Sequence, residues 1–236
     1  SEGACHGRTL ATVTATGQPK YMDGFAPMPQ GFVKAPWGDP AALEAAVTPK
    51  TAAVMMELVQ GEGGVRPASK EFAHAVSEIC KKHGLLLILD EVQTGLCRTG
   101  RFWAHQHYDV QPDIMTSAKA LANGLPMGAM LCTEEVAKAF VPGTHASTFG
   151  GGPLVSAVAS KTLDIMKDEK LAQRADELGE YAKGKLKELA AAHPDAILDV
   201  RGLGLLLGVE FKFPAKDILT RLFERGFVCN VTHDVV

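Results

Sequence analysis

The chain has 236 residues, of which 46% are hydrophobic and 22% are charged, and its formal net charge is -3. This composition is typical of a soluble globular protein and excludes a disordered chain. Acidic and basic residues are interspersed, so there is no basic patch for a nucleic acid, and the longest apolar runs are too short to cross a bilayer. We therefore expect a cytoplasmic protein with neither a nucleic-acid partner nor a membrane span.

The cysteines and histidines show no pattern of a disulfide framework or a metal site. The five cysteines are odd in number and include no C-x-x-C pair, which favours reduced thiols. The eight histidines lack metal-ligand spacing. We predict no bound metal.

The first clear element is an apolar strand over residues 51–59, which runs into a glycine-rich loop at residues 61–64. A helix is predicted next, with Ser69 as its N-cap and Gly84 as its stop. The following apolar strand covers residues 85–89 and is succeeded at once by two carboxylates.

Strands and helices continue to alternate along the rest of the chain. Two strands are predicted at residues 112–116 and 127–132, and two helices lie between residues 154 and 192. Strands around residues 197–211 and a helix over residues 218–225 follow. This order predicts an α/β fold in which helices flank a mostly parallel sheet.

The pattern further predicts two domains. Residues 1–192 would form a large α/β domain, and residues 193–236 would begin a smaller α+β domain. Ligands of such sheets gather at the carboxyl ends of the strands. Glu62, Asp90 and Lys119 each follow a predicted strand, so these three side chains could converge on one site.

Asp90 and Lys119 each allow two interpretations. Asp90 ends an apolar strand, where a carboxylate needs either a structural ion pair or a functional partner. Lys119 has only small or apolar neighbours, which suits either an ordinary lysine on an alanine-rich helix or an amine that attacks an aldehyde. Taken singly, neither residue decides the function.

A set of short motifs occurs in order along nearly the whole chain. They are His6-Gly7-Arg8-Thr9, Gln60-Gly61-Glu62-Gly63-Gly64, Asp90-Glu91-Val92-Gln93-Thr94-Gly95, Arg98-Thr99-Gly100, Pro112-Asp113-Ile114, Ala118-Lys119-Ala120-Leu121 and Ser147-Thr148-Phe149-Gly150-Gly151. Taken together and in this order, the motifs resemble the class III, fold-type I aminotransferases, a group that includes acetylornithine, ornithine and 4-aminobutyrate aminotransferases.

The resemblance implies a site for pyridoxal 5'-phosphate. Lys119 would hold the cofactor as a Schiff base and shuttle the proton, and Asp90 would pair with the ring nitrogen. Val92 would pack on one ring face, and Gln93 would bond near the phenolic oxygen. Thr148 would contact the cofactor phosphate of the neighbouring subunit, which implies a homodimer.

The resemblance also implies a reaction. The ω-amino group of N-acetylornithine or ornithine would move to 2-oxoglutarate, giving a semialdehyde and glutamate in arginine biosynthesis; succinylornithine and 4-aminobutyrate are alternative donors. Arg8 would bind a substrate carboxylate, Ser147 would lie on the substrate side of the subunit boundary, and Glu62 would pair with an arginine near the C-terminus. Within enzymes, the alternative is a related pyridoxal-phosphate aminomutase or decarboxylating enzyme of the same fold. Outside enzymes, the alternative is a non-catalytic cofactor-binding or interaction protein, such as a fragment or relic.

Three positions depart from the family pattern. Cys5 stands where a phenylalanine commonly stacks on the cofactor, Cys97 replaces a small residue that is often glycine, and Gly152 replaces the usual asparagine. The chain also starts just before the His6 motif and stops before the family's C-terminal arginine. We therefore expect it to be part of a longer polypeptide.

Overall fold

A four-stranded sheet forms the centre of the protein in a computed structural model that describes residues 1–236. Two further sheets have two strands each. In chain order the strands are β1 (Ala53–Met56), β2 (Val59–Gln60), β3 (Arg66–Pro67), β4 (Leu86–Asp90), β5 (Ile114–Ser117), β6 (Ala129–Cys132), β7 (Ile197–Leu203) and β8 (Leu206–Phe211).

The main sheet has the strand order β1-β4-β5-β6. The β1–β4 and β4–β5 pairs are parallel, whereas β6 runs antiparallel to β5. The predicted mostly parallel sheet is therefore confirmed. Because β1, β4 and β5 run the same way, the residues that follow them lie at one edge of the sheet.

The predicted strand over residues 51–59 is wrong in one respect, because it is two strands. β1 ends at Met56, and β2 begins at Val59 in a separate sheet, where it pairs antiparallel with β3. Glu57 lies in the break. The apolar residues on both sides of Glu57 hide such a break, since Leu58 and Val59 are as buried as Val54 and Met56.

The helices lie around the sheet and along the second half of the chain. In chain order they are α1 (Leu10–Ala15), α2 (Pro40–Ala45), α3 (Lys70–His83), α4 (Glu134–Ala137), α5 (Pro153–Asp168), α6 (Leu171–Ala192) and α7 (Lys216–Glu224), with three short 3-10 turns at Pro19–Tyr21, Ala104–His107 and Lys119–Ala122. The predicted bounds of α3 are confirmed. The Ser69 side chain accepts a hydrogen bond from the Phe72 N–H, and Gly84 ends the helix with a φ of 66°.

The main core lies between α3 and the sheet. Phe72, Val76 and Cys80 recur at helical spacing and share one buried cluster with Leu87 and Leu89 of β4. This packing holds β4 against α3, and with it the edge of the sheet at which β4 ends.

The C-terminal hairpin β7–β8 packs against α6. A Cβ on Gly179 would lie only 2.1 Å from the Gly204 carbonyl oxygen, so the helix and the hairpin turn meet backbone to backbone. The two predicted helices and the predicted strands are confirmed here, whereas the domain boundary at residue 192 stays a prediction. None of the helices is both long and apolar enough to cross a membrane.

Candidate functional site

Asp90 is the last residue of β4 and is only 5% exposed. Its Oδ2 lies 2.8 Å from His6 Nδ1. Its Oδ1 accepts hydrogen bonds from the Val92 N–H at 3.0 Å and from the Thr116 hydroxyl at 3.1 Å. Thr116 is its register partner on β5. The carboxylate is therefore held from three directions.

The surroundings of Asp90 favour its ionised form. Burial alone would raise its pKa, but the hydrogen bond and charge of His6, together with the Val92 and Thr116 donors, lower the pKa below its ordinary value. An ionised carboxylate only accepts hydrogen bonds, so the proton between the two side chains belongs to His6 Nδ1. Asp90 is thus a buried anion with a fixed orientation.

Lys119 follows β5 by two residues and begins a 3-10 turn. Its side chain is exposed, so the amine is accessible rather than enclosed by its apolar neighbours. Its φ of 49° lies in the left-handed region, which costs a non-glycine residue about 1 kcal/mol. Leu121 and Ala122 of the same turn are buried against Ala159 and Met166 of α5, which anchors the turn.

Glu57 is a site residue that the sequence analysis missed. It follows β1, is 3% exposed, and accepts a hydrogen bond from the Cys5 N–H at 3.0 Å. Burial raises its pKa to about 7, and the nearby charge of Asp90 adds to this, whereas the Cys5 and Gly61 N–H groups and Lys119 oppose it. The signal was available, because Glu57 follows an apolar run just as Asp90 does.

The carboxyl ends of three neighbouring strands therefore carry Glu57, Asp90 and Lys119. His6 also belongs to this cluster, although only its motif was noted in the sequence. Its side chain is 1% exposed, and its Nε2 atom is buried without a hydrogen-bond partner in the chain.

Val92 and Gln93 are half-buried beside this cluster. A Cβ on Gly61 would fall 1.5 Å from Gln93 Oε1, so only glycine leaves room for the Gln93 amide at that point. This close approach joins the glycine-rich turn that carries Glu62 to the segment that follows Asp90.

Comparison with known proteins identifies the family. The model of the class-III aminotransferases matches residues 1–236. The acetylornithine aminotransferase of Methanocaldococcus jannaschii is 46% identical over 99% of this chain and 58% of its own length. Acetylornithine aminotransferase 1 of Bordetella bronchiseptica is 45% identical over 100% of this chain and 60% of its own length.

This chain belongs to the class-III aminotransferases. It spans about three fifths of the length of the curated relatives it matches.

Solved aminotransferases share the fold. An ornithine aminotransferase from Toxoplasma gondii, described with pyridoxal phosphate at partial occupancy in its active site, superposes with a TM-score of 0.95 and 37% identity over 99% of this chain and 56% of its own. The acetylornithine aminotransferase of Elizabethkingia anophelis gives a TM-score of 0.83 and 40% identity over 90% of this chain and 55% of its own. The fold-type I assignment is confirmed.

The remaining residues that the class-III pattern points to form no hydrogen bond with Asp90, whose partners are His6, Val92 and Thr116. Arg8 is exposed, and its guanidinium carbon lies 3.7 Å above the centre of the Tyr21 ring. Ser147 and Thr148 lie in an exposed segment before α5. Glu62 is half-buried in the turn between β2 and β3. The proposed roles of these four residues stay predictions.

At two of the departures from the class-III pattern, the structure gives a physical reason for the usual residue but none for the residue that this chain has. Cys97 has a φ of 69°, a conformation that glycine adopts without strain. Gly152 is the N-cap of α5 and provides no side-chain hydrogen bond to the helix, whereas an asparagine there could accept one. Cys5 is half-buried and bonds to Glu57 through its backbone.

Proposed function

We propose that the whole protein is a pyridoxal-phosphate-dependent aminotransferase that moves the ω-amino group of N-acetylornithine to 2-oxoglutarate, giving a semialdehyde and glutamate. Ornithine, succinylornithine and 4-aminobutyrate are the alternative donors. One observation carries the proposal: a buried, ionised Asp90 ends β4 and an accessible Lys119 amine follows the adjacent parallel strand β5, with Asp90 in register with Thr116.

The residues present suit pyridoxal phosphate. A carboxylate has about four acceptor positions, and three of those of Asp90 are taken by His6, Val92 and Thr116. The fourth would accept the protonated ring nitrogen. The half-buried Val92 and Gln93 offer an apolar surface for the ring and an amide for its phenolic oxygen. When bound, the cofactor supplies an electron sink for the carbanion that forms on the substrate.

The protein groups then have separate tasks. Lys119 Nζ would hold the cofactor and, once displaced by the substrate amine, would carry the proton between the substrate carbon that bears this amine and the cofactor C4′. Asp90 would keep the ring nitrogen protonated, and His6 would keep Asp90 oriented. The Toxoplasma ornithine aminotransferase, whose active site holds pyridoxal phosphate, supports this assignment through its shared fold.

The choice of donor rests on relatives. Acetylornithine aminotransferases at about 45% identity support N-acetylornithine, and the Toxoplasma enzyme supports ornithine as the runner-up. Arg8 would bind a substrate carboxylate from its exposed position, and Ser147 would lie on the substrate side of the subunit boundary. Glu62 would change its pairing with the arginine near the C-terminus when 2-oxoglutarate binds.

A homodimer is part of the proposal. Thr148 lies in an exposed segment before α5. Apolar side chains are exposed both in this segment, where Phe149 is 89% exposed, and at the start of α5, where Leu154 is 70% exposed. In a dimer this segment would be covered, and Thr148 would reach the phosphate of the partner's cofactor.

Borohydride reduction tests the central claim. The full polypeptide is incubated with pyridoxal phosphate, reduced and mapped by peptide mass spectrometry. We expect the label on Lys119, no label in Lys119→Ala, and unchanged labelling in Lys138→Ala, which alters an exposed lysine next to α4. A folded protein without label on Lys119 would refute the cofactor assignment.

The donor is tested by half-reactions of the loaded protein with N-acetylornithine and with ornithine. We expect faster conversion with N-acetylornithine. Labelling of Lys119 without reaction with any amine would instead support the alternative of a non-catalytic cofactor-binding protein.

A further inference from the structure

Arg201 joins the C-terminal hairpin to the glycine-rich turn. It lies on β7, and its Nε donates to the carbonyl oxygens of Gly64 and Val65, both at 3.0 Å. Its Nη2 donates to the same Gly64 oxygen at 2.7 Å. These are hydrogen bonds from a charged group, which are stronger than neutral ones. More than 130 residues of sequence separate the partners.

The arginine is itself held in place. Its Nη1 donates to Asp199 Oδ2 at 3.0 Å and to a carboxylate oxygen of Glu210 on the neighbouring strand. The planar guanidinium is therefore fixed by carboxylates on one side and donates hydrogen bonds to two carbonyl groups on the other. A lysine could not make both sets of contacts.

The turn that Arg201 grips is strained. Val65 has a φ of 48°, which is unfavourable for a β-branched residue. Its side chain lies against the hairpin, since a Cβ on Gly208 of β8 would be only 2.9 Å from Val65 Cβ. Such a conformation persists only where the surroundings enforce it, and it is common at functional sites.

The other end of the turn contacts the candidate active site. Gly61 lies against the Gln93 amide, and its carbonyl oxygen accepts the N–H groups of Gly64 and Val65, both at 3.1 Å. Glu62 therefore lies in a closed turn that is anchored by Gln93 at one end and by Arg201 at the other.

We infer that Arg201 is a positioning residue that fixes Glu62 for the discrimination between amino donor and 2-oxoglutarate. This inference rests on the proposed function for the role of Glu62. It makes the β7–β8 hairpin part of the substrate-selecting apparatus, although no residue of the hairpin was predicted to serve the site.

Amide hydrogen exchange of the full polypeptide without cofactor tests the mechanical part. In Arg201→Gln the Gly64 and Val65 amides should exchange about tenfold faster or more, because their turn loses charge-assisted bonds. Arg201→Lys should give a smaller rise. Arg221→Gln, an exposed position on α7, should leave these rates unchanged. Unchanged rates in Arg201→Gln, or an equal rise at the β4 amides, would overturn the inference.

Half-reaction kinetics test the functional part. Arg201→Gln and Glu62→Gln should each change the ratio of kcat/KM for 2-oxoglutarate to that for the amino donor, and the double variant should change it no further than Glu62→Gln alone. Additive effects, or equal loss with both substrates, would contradict the positioning role. A wild-type protein without transamination would refute the proposed function. The hydrogen-exchange result would still test whether Arg201 holds the turn in place.

Discussion

His6 Nδ1 donates a 2.8 Å hydrogen bond to Asp90 Oδ2, and 84 residues of sequence separate the two. This pair connects the segment before α1 to the end of β4. Both side chains are nearly inaccessible to water, so the buried negative charge of Asp90 at the edge of the sheet is stabilised by His6 rather than by solvent.

We predict that His6→Leu destabilises the protein by about 2 kcal/mol, because Asp90 loses a donor to its buried charge. His6→Asn, which retains an N–H donor, should cost less. Asp90 has a lowered pKa, so its contribution to stability is present above the ordinary carboxyl pKa and is lost as the pH falls through the folded value. In urea unfolding, the difference in the free energy of unfolding between wild type and His6→Leu should become smaller below about pH 4. A difference that is independent of pH would contradict this account.

Glu57 should give the opposite pH dependence. Its pKa is raised from 4.5 to about 7, so its protonated form stabilises the fold at low pH and this contribution is lost as the pH rises towards 7. This pKa shift corresponds to a change of about 3 kcal/mol in the free energy of unfolding. Relative to Glu57→Gln, wild type should therefore lose stability between about pH 4.5 and 7, as measured by urea unfolding.

The control for Glu57 is Glu78→Gln on the exposed side of α3, where burial is absent and Lys81 lowers the carboxyl pKa. Relative to Glu78→Gln, wild type should not lose stability between about pH 4.5 and 7. Stability that changes with pH identically in wild type and Glu57→Gln would show that the pKa of Glu57 is the same in the folded and unfolded protein, which would contradict this prediction.

Cys97 allows a test of backbone strain. Both Cys97→Gly and Cys97→Ala remove the thiol, but only glycine adopts a φ of 69° without strain. We expect the glycine variant to be more stable than the alanine variant by about 1 kcal/mol. At Cys80, inside α3, the order should reverse by about 1 kcal/mol because glycine is a poor helix former. An alanine variant at position 97 that is as stable as the glycine variant, or more stable, in thermal unfolding would contradict the strain.

Local patterns in the sequence were sufficient for much of the fold. Ser69 and Gly84 determine the two ends of α3 through short-range hydrogen bonding and a left-handed φ, so these bounds were predictable. The break after Met56 was not, since it depends on the pairing of β2 with β3 rather than on a local signal.

The site shows the same division. The strand ends indicated Asp90 and Lys119, and the family motifs supported them. The clamp by Arg201 could not be predicted, because a guanidinium that binds distant carbonyl groups leaves no spacing pattern in the chain. Glu57 was visible as a carboxylate after an apolar run, but its raised pKa depends on its burial near Asp90 and on the Cys5 amide.

The antiparallel direction of β6 has a consequence for Lys119. Ser117 and Ala129 are register partners, so residues 118–128 leave the sheet and return to it as a loop whose two ends are bonded together. A parallel β6 would have needed a long crossover in this place. The backbone that bears the amine therefore lies in a loop closed by two paired strands, and the four-carbon side chain of Lys119 supplies the reach of the amine.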